Sequence, residues 1–224
     1  MGAQIAAHLT NAGIDTVLFD LPAKEGDKDG IVRKALANLA KLSPAPLASK
    51  SLAEAIMPAN YETGLAELES CDLIIEAIAE KMDWKQDLYE KIAPFVADHA
   101  VLASNTSYLD IDQMAAATSR PGDVLGMHFF SPANVMKLLE VVRAARTAPE
   151  ALATAVEVGR RLAKVPVVVG VCHGFVGNRM LSRRTQQAER LLQEGALPEQ
   201  VDKALTDFGF RMGPFAMGDL AGLD

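Results

Sequence analysis

His128 and Glu140 are the two residues in this chain whose types suit proton transfer. His128 closes the apolar run Val124–His128, and Glu140 sits inside LLEVV (138–142), an otherwise apolar segment. A carboxylate buried in such a segment needs a partner. An imidazole suits it, and the pair makes a base that the carboxylate orients and stabilises when it takes a proton. Each residue alone has a plainer reading, as a satisfied core histidine and an exposed strand glutamate, and Arg143 competes as a partner for Glu140. Ser104-Asn105-Thr106-Ser107 follows another short apolar run. Open α/β sheets bind ligands at the carboxyl ends of their strands, and small polar side chains there could hold a ligand oxygen or carboxamide. They could equally turn the chain into a helix near Asp110. Asn178, in GFVGNR (174–179), opens a long predicted helix at a change of pattern. It could reach a cleft or simply start the helix.

Gly2 and Asp20 are a weaker pair. A dinucleotide-binding turn places G-x-G-x-x-G between a strand and a helix, with an acid about 20 residues later on the ribose hydroxyls. Here one glycine of that pattern stands at residue 2, before a helical stretch, and Asp20 ends the next strand. The plainer reading is a glycine beside the first Met and an acid in a turn. An acid at residue 20 would accept two ribose hydroxyls and repel a 2′-phosphate, so it favours NAD over NADP.

The elements that must position these residues alternate. Helices are predicted over Met1–Ala12, stopped by Gly13, then over Ile31–Leu42, Asp83–Ala97, Asp110–Thr118 and 149–163. Strands are predicted at Thr16–Phe19, Asp72–Ile78, Ala100–Ala103, Val124–His128, 138–142 and Val165–Val171. Residues 43–64 read as an excursion with one short helix near Leu52–Ile56. Alternation of this kind is the signature of a doubly wound α/β domain. The apolar runs DLIIEAI and VPVVVGV suggest strands buried on both faces. After Gly174 only helices are predicted: Phe175–Gln193, Pro198–Phe208 and Phe215–Leu220. The boundary is placed at 172, giving units 1–172 and 173–224.

Composition bounds the rest. The chain has 224 residues, 50% hydrophobic and 23% charged, with a net charge of −7. That balance excludes disorder and low complexity. It argues against a general nucleic-acid binder, which needs a basic face. No apolar run reaches the length of a membrane span. Two cysteines, Cys71 and Cys172, form no CxxC pattern and read as buried thiols in a reducing, cytoplasmic setting. Trp84, Tyr89 and Phe95 read as packing residues. His8, His99 and His173 read as isolated, without metal-ligand spacing.

Taken together the segments resemble the 3-hydroxyacyl-CoA dehydrogenase family, in its bacterial fatty-acid β-oxidation form. The resemblance rests on Met1-Gly2 with IAAHLTNAG, DLIIEAIAE at 72–80, ASNTS at 103–107, GMHFFSPANVMKLLEVV at 126–142, HGFVGNR at 173–179 and GPFAMGDLAGLD at 213–224. It implies a Rossmann-like NAD-binding domain followed by a helical substrate and dimerisation domain. It implies NAD-dependent oxidation of an L-3-hydroxyacyl-CoA to a 3-ketoacyl-CoA. His128 is implied as general base and Glu140 as its carboxylate. Ser107, Ser131 and Asn178 are implied as substrate contacts, with Ser131 standing where many members have Asn. Gly2, Asp20, Glu80, Lys85, Asn105 and Ser107 are implied as cofactor contacts. No metal is implied. Implied partners are the acyl-CoA, a second copy bound through the helical domain, and a fused or associated enoyl-CoA hydratase part. Lys50 and Lys137 are candidate cations for the CoA. The family pattern also implies a further strand and two glycines before Met1 and more helix after Asp224. A chain truncated at both ends is therefore expected, and a non-catalytic or poorly NAD-binding fragment stands as the alternative, beside another NAD-dependent hydroxyacid dehydrogenase.

Overall fold

The first helix, α1 (Gly2–Asn11), buries Ile5, Ala6, Ala7 and Thr10 along one face. It stops where Gly13 takes φ +69°, which brings the Gly13 N–H to Thr10 O and the Ile14 N–H to Leu9 O. This is the left-handed closure that glycine permits at a helix end. These details come from a computed structural model, which describes residues 1–221. Gly222, Leu223 and Asp224, the end of the last block of resemblance, lie outside the described residues. The chain divides into two compact units, Met1–Phe175 and Val176–Asp224.

In the first unit strands and helices alternate as expected, but the sheet is in two pieces. One is a parallel pair, β1 (Thr16–Asp20) with β2 (Ile56–Asn60). The other has five strands in the order β3 (Leu73–Glu76), β4 (Val101–Ser104), β5 (Val124–Phe129), β6 (Leu138–Arg143) and β7 (Val165–Gly170). Among the described residues, β1 and β3 each keep one edge unpaired. The helices are α2 (Gly30–Leu39), α3 (Met82–Ile92), α4 (Ile111–Ala116) and α5 (Pro149–Arg161). β2 lies in the excursion that reads as coil with one short helix. Its sequence IMPAN carries Pro58, which lacks the N–H a ladder uses and hides a strand from pattern reading. The expected short helix is a 3₁₀ segment, Lys50–Ala55.

The larger sheet is mixed, because β5 and β6 run antiparallel. One expectation about the strands is corrected. β7 is not buried on both faces: Val165, Val167 and Val168 are all exposed. β7 is the edge of its sheet, and with Val165 and Val167 on one face and Val168 on the other it leaves side chains exposed on both faces. Strands β4 and β5 are buried throughout and carry the centre of the core. One cluster gathers Ile5, Leu125, Met127, Leu139, Val141 and Ala155, and another gathers Tyr89, Ile111, Met114, Val124, Val142 and Phe175.

Other packing readings divide. Tyr89 is fully buried, but Trp84 is half-exposed and lies under the Lys81 ammonium, 4.2 Å from its ring centre. Cys71 and Cys172 are half-buried rather than buried. Burial, then Asp72 and Glu67, push the Cys71 thiol up from its ordinary value. The remaining histidines have partners: His8 bonds Leu162 O, His99 bonds Asp72, and His173 lies against Tyr108.

The second unit contains α6 (Gly177–Gln193), α7 (Pro198–Phe208) and α8 (Pro214–Ala221). Asp202 on α7 accepts from the N–H groups of Phe215 and Ala216, capping the start of α8. Among the described residues no helix is long and apolar enough to cross a membrane.

Candidate active site

Antiparallel pairing of β5 with β6 places His128 directly opposite Glu140. Their side chains meet with Nδ1 2.7 Å from Oε2, and both are buried. An ionised carboxylate can only accept, so the neutral ring carries its proton on Nδ1 and presents the Nε2 lone pair on the other side. Ser107 Oγ lies 3.2 Å from that Nε2. The ring is walled by Phe130, at 4.4 Å between centroids, and by Phe175, at 5.8 Å. Arg143, the competing partner, is exposed at the end of β6. Three positions from Glu140, it points to the opposite face of the strand.

The strand separation depends on Gly126. A Cβ there would stand 2.8 Å from Val142 Cβ and 3.0 Å from Val142 Cγ2. The turn joining β5 to β6 is pinned from two sides. Lys164 donates to the carbonyls of Ala133 and Met136, and the Ala133 N–H donates to Gln4 Oε1 on α1. Burial pushes the Lys164 ammonium below its ordinary value. Ser131 is exposed on this turn.

Thr106 Oγ1 accepts the Leu109 N–H at 2.9 Å and so turns the chain toward the following helix, which Asp110 then caps by accepting from the Asp112 N–H. Asn105 Oδ1 accepts from the Phe129 N–H, tying this loop to the end of β5. Glu80 Oε1 accepts from the Thr106 hydroxyl and from the N–H groups of Ser107 and Tyr108. Burial pushes the Glu80 carboxyl up. The bonds from Thr106 and Ser107, the Lys85 charge and the Tyr108 N–H outweigh it and leave the group below its ordinary value.

Lys85 is almost fully buried, with Nζ 2.7 Å from Glu76 Oε1 and 3.6 Å from Glu80 Oε2. Its ammonium is thus committed inside the unit. Glu76 was not singled out from the sequence. Its signal was an acid within the apolar run DLIIEAI, the same signal that pointed to Glu140.

Asp20 ends β1 and accepts the Leu21 N–H on Oδ1, and no protein donor among the described residues takes Oδ2. Gly2 opens α1, and a Cβ there would meet only Ala77 and Leu18, at ordinary contact distances. A free carboxylate oxygen at a strand's carboxyl end and a helix N-terminus nearby fit a dinucleotide's ribose and pyrophosphate. Asn178 is the second residue of α6, in the second unit, and is half-buried. Lys50 and Lys137 are exposed.

Comparison with known proteins identifies the family of the chain. Residues 1–172 match the family model of the 3-hydroxyacyl-CoA dehydrogenase NAD binding domain, and residues 174–224 match that of its C-terminal domain. A peroxisomal bifunctional enzyme of Danio rerio is 54% identical over 164 residues, covering 73% of this chain and 23% of that protein. A fatty acid oxidation complex subunit alpha of Shewanella amazonensis is 41% identical over 157 residues, covering 70% of this chain and 22% of that protein. The chain therefore spans less than a quarter of the length of these curated relatives. The crystal structure of (S)-3-hydroxybutyryl-CoA dehydrogenase from Ralstonia eutropha superposes with a TM-score of 0.87 at 32% identity, covering 100% of this chain and 80% of that one. The chain belongs to the 3-hydroxyacyl-CoA dehydrogenase family.

Proposed function

We propose that the protein oxidises L-3-hydroxyacyl-CoA to 3-ketoacyl-CoA with NAD, as a step of fatty-acid oxidation. The observation that carries this reading is the line Ser107–His128–Glu140, in which a buried imidazole is bonded by a carboxylate on Nδ1 and faces a hydroxyl on Nε2. His128 Nε2 takes the proton of the substrate's 3-hydroxyl. Glu140 stabilises the imidazolium that results. Ser107 Oγ donates to the same oxygen as it becomes a carbonyl, and Asn178 is assigned a second donor by family resemblance alone. Phe130 and Phe175 keep water from the ring. NAD, when bound, supplies the acceptor for the hydride leaving C3. Asp20 and the start of α1 hold its ribose and pyrophosphate, and Asn105 borders the nicotinamide end.

The remaining assignments belong to the same proposal. Ser131 lies on the substrate side. The units serve as NAD-binding (1–172) and substrate or dimerisation (173–224) domains. A second copy binds through the helical unit, whose exposed Met180, Phe208 and Leu220 support it. An enoyl-CoA hydratase part accompanies the enzyme, supported by the bifunctional relative. Two cysteines, too few for a disulfide framework, support a reducing compartment such as the cytoplasm.

The test is turnover of (S)-3-hydroxybutyryl-CoA with NAD, followed by the absorbance of the reduced nicotinamide. Turnover that disappears in His128→Gln supports the reading, and its absence in the unmodified protein refutes it. A second reading, of a chain that binds NAD poorly, is favoured by the unpaired edges of β1 and β3. Tight, saturable NAD binding would exclude it.

A further inference from the structure

We propose that Glu76, Lys85 and Glu80 form a relay of positioning residues that sets the Ser107 hydroxyl against His128. The inference rests on the reading of Ser107 and His128 given above and deepens it.

The relay begins in the core. Glu76 is buried at the end of β3, yet both its oxygens are occupied. Oε1 accepts from the Ile78 N–H at 2.6 Å and from Lys85 Nζ at 2.7 Å, and Oε2 accepts from the Ser104 hydroxyl at 2.6 Å. Its main-chain oxygen accepts the Asn105 N–H at 2.7 Å. A buried ion pair is poor evidence of stabilisation, because desolvation offsets the attraction. What a fully satisfied buried network does supply is a single geometry.

Two routes lead from Glu76 to Ser107. Through Ser104, whose oxygen accepts the Thr106 N–H at 3.2 Å, it shapes the start of the loop. Through Lys85 it reaches Glu80, 3.6 Å from Nζ. Glu80 then gathers the Thr106 hydroxyl and the N–H groups of Ser107 and Tyr108 on one oxygen, at 2.5, 2.8 and 3.1 Å. Three consecutive residues of the loop, Ser107 among them, are thereby held on one carboxylate oxygen. With the Ser107 and Asn105 N–H groups both tied down, the Ser107 main chain is held where one side-chain rotamer brings Oγ 3.2 Å from Nε2. Lys85 and Glu80, assigned to the cofactor by resemblance, act here on the loop that carries the hydroxyl.

Glu80→Ala and Glu80→Gln test the relay, with kcat, KM, the NAD dissociation constant, thermal melting and the ¹⁵N resonance of His128 Nε2 in the ligand-free protein as readouts. The resonance is assigned by its loss in His128→Gln. Glu80→Ala is expected to lower kcat by about 10²-fold, the cost of misplacing a reacting group by about 1 Å. KM and NAD binding stay nearly unchanged, and the Nε2 resonance shifts as the Ser107 bond is lost. Glu80→Gln, whose amide oxygen still accepts all three donors, recovers most of both. Glu76→Gln gives the same pattern more weakly, and if it does not fold, the two Glu80 variants, on an exposed side chain, decide. A weaker NAD affinity with unchanged kcat would make Glu80 a cofactor contact and overturn the proposal. So would a lowered melting temperature with the Nε2 resonance unmoved. If the unmodified protein turns over no substrate, the functional reading fails while the resonance still decides the relay.

Discussion

His128 and Glu140 are twelve residues apart in the chain yet directly opposite in the β5–β6 ladder, with 2.7 Å between Nδ1 and Oε2. The His128 ring is therefore oriented by a main-chain register rather than by a flexible loop. His128→Gln should lower kcat by about 10²–10⁴-fold, the range for a lost general base. NAD affinity measured by titration should hardly change, and a variant with near-normal turnover would remove His128 from the mechanism.

The same ladder should be sensitive to a single methyl group. Gly126→Ala would place a Cβ 2.8 Å from that of Val142 and 3.3 Å from Ile111 Cδ1, in a fully buried strand. Overpacking of this kind costs about 1–3 kcal/mol. Urea denaturation should show it as a lower midpoint at unchanged slope, together with reduced turnover as β5 and β6 separate. An unchanged midpoint would mean that the strands have slack.

Lys164 should matter through its two carbonyl partners. Lys164→Met keeps the length and apolar stem but leaves Ala133 O and Met136 O without their donor. Loss of a buried partner costs about 1–3 kcal/mol. Chemical denaturation measures the cost, and hydrogen exchange should place the loosening at residues 133–136. An effect spread evenly over the protein would contradict the pinning role.

Legibility from sequence followed the difference between type and register. The types at 128 and 140 could be read, because a lone acid in an apolar segment demands a partner. Arg143 is excluded by strand alternation alone, three positions along the same strand, but the match with His128 needed the antiparallel direction and register of β5 and β6. Glu76 carried the same signal and went unread because its partner, Lys85, lies on a helix nine residues on. The run VPVVVG looked like a doubly covered strand; its neighbours, which only the topology supplies, leave it at an edge. β2 was hidden by Pro58.

Glu80 gives a pH dependence with a defined sign. Its carboxyl is held below the ordinary value of 4.5, against burial, by donors from Thr106, Ser107 and Tyr108 and by Lys85. A carboxylate favoured in the folded state contributes its full effect above its unfolded value. That effect is lost as pH falls through the lower, folded value. The stability difference between the protein and Glu80→Gln should therefore be constant near neutrality and shrink below about pH 4.5. A difference that grows on acidification would reverse the assignment.

Cofactor choice should follow Asp20. Asp20→Asn removes the charge at the end of β1 that would meet a ribose hydroxyl or repel a 2′-phosphate. NAD affinity should fall by about 10–100-fold, the value of hydrogen bonds to a charged group. NADP affinity should rise or hold. Equal losses for both cofactors would place the ribose elsewhere.

A base and carboxylate matched across a ladder are indifferent to what joins their strands. Residues 130–137 can lengthen, shorten or change side chains, and the 128–140 match survives so long as the two strands keep their pairing. What the turn touches is thereby separated from the register that sets His128 against Glu140.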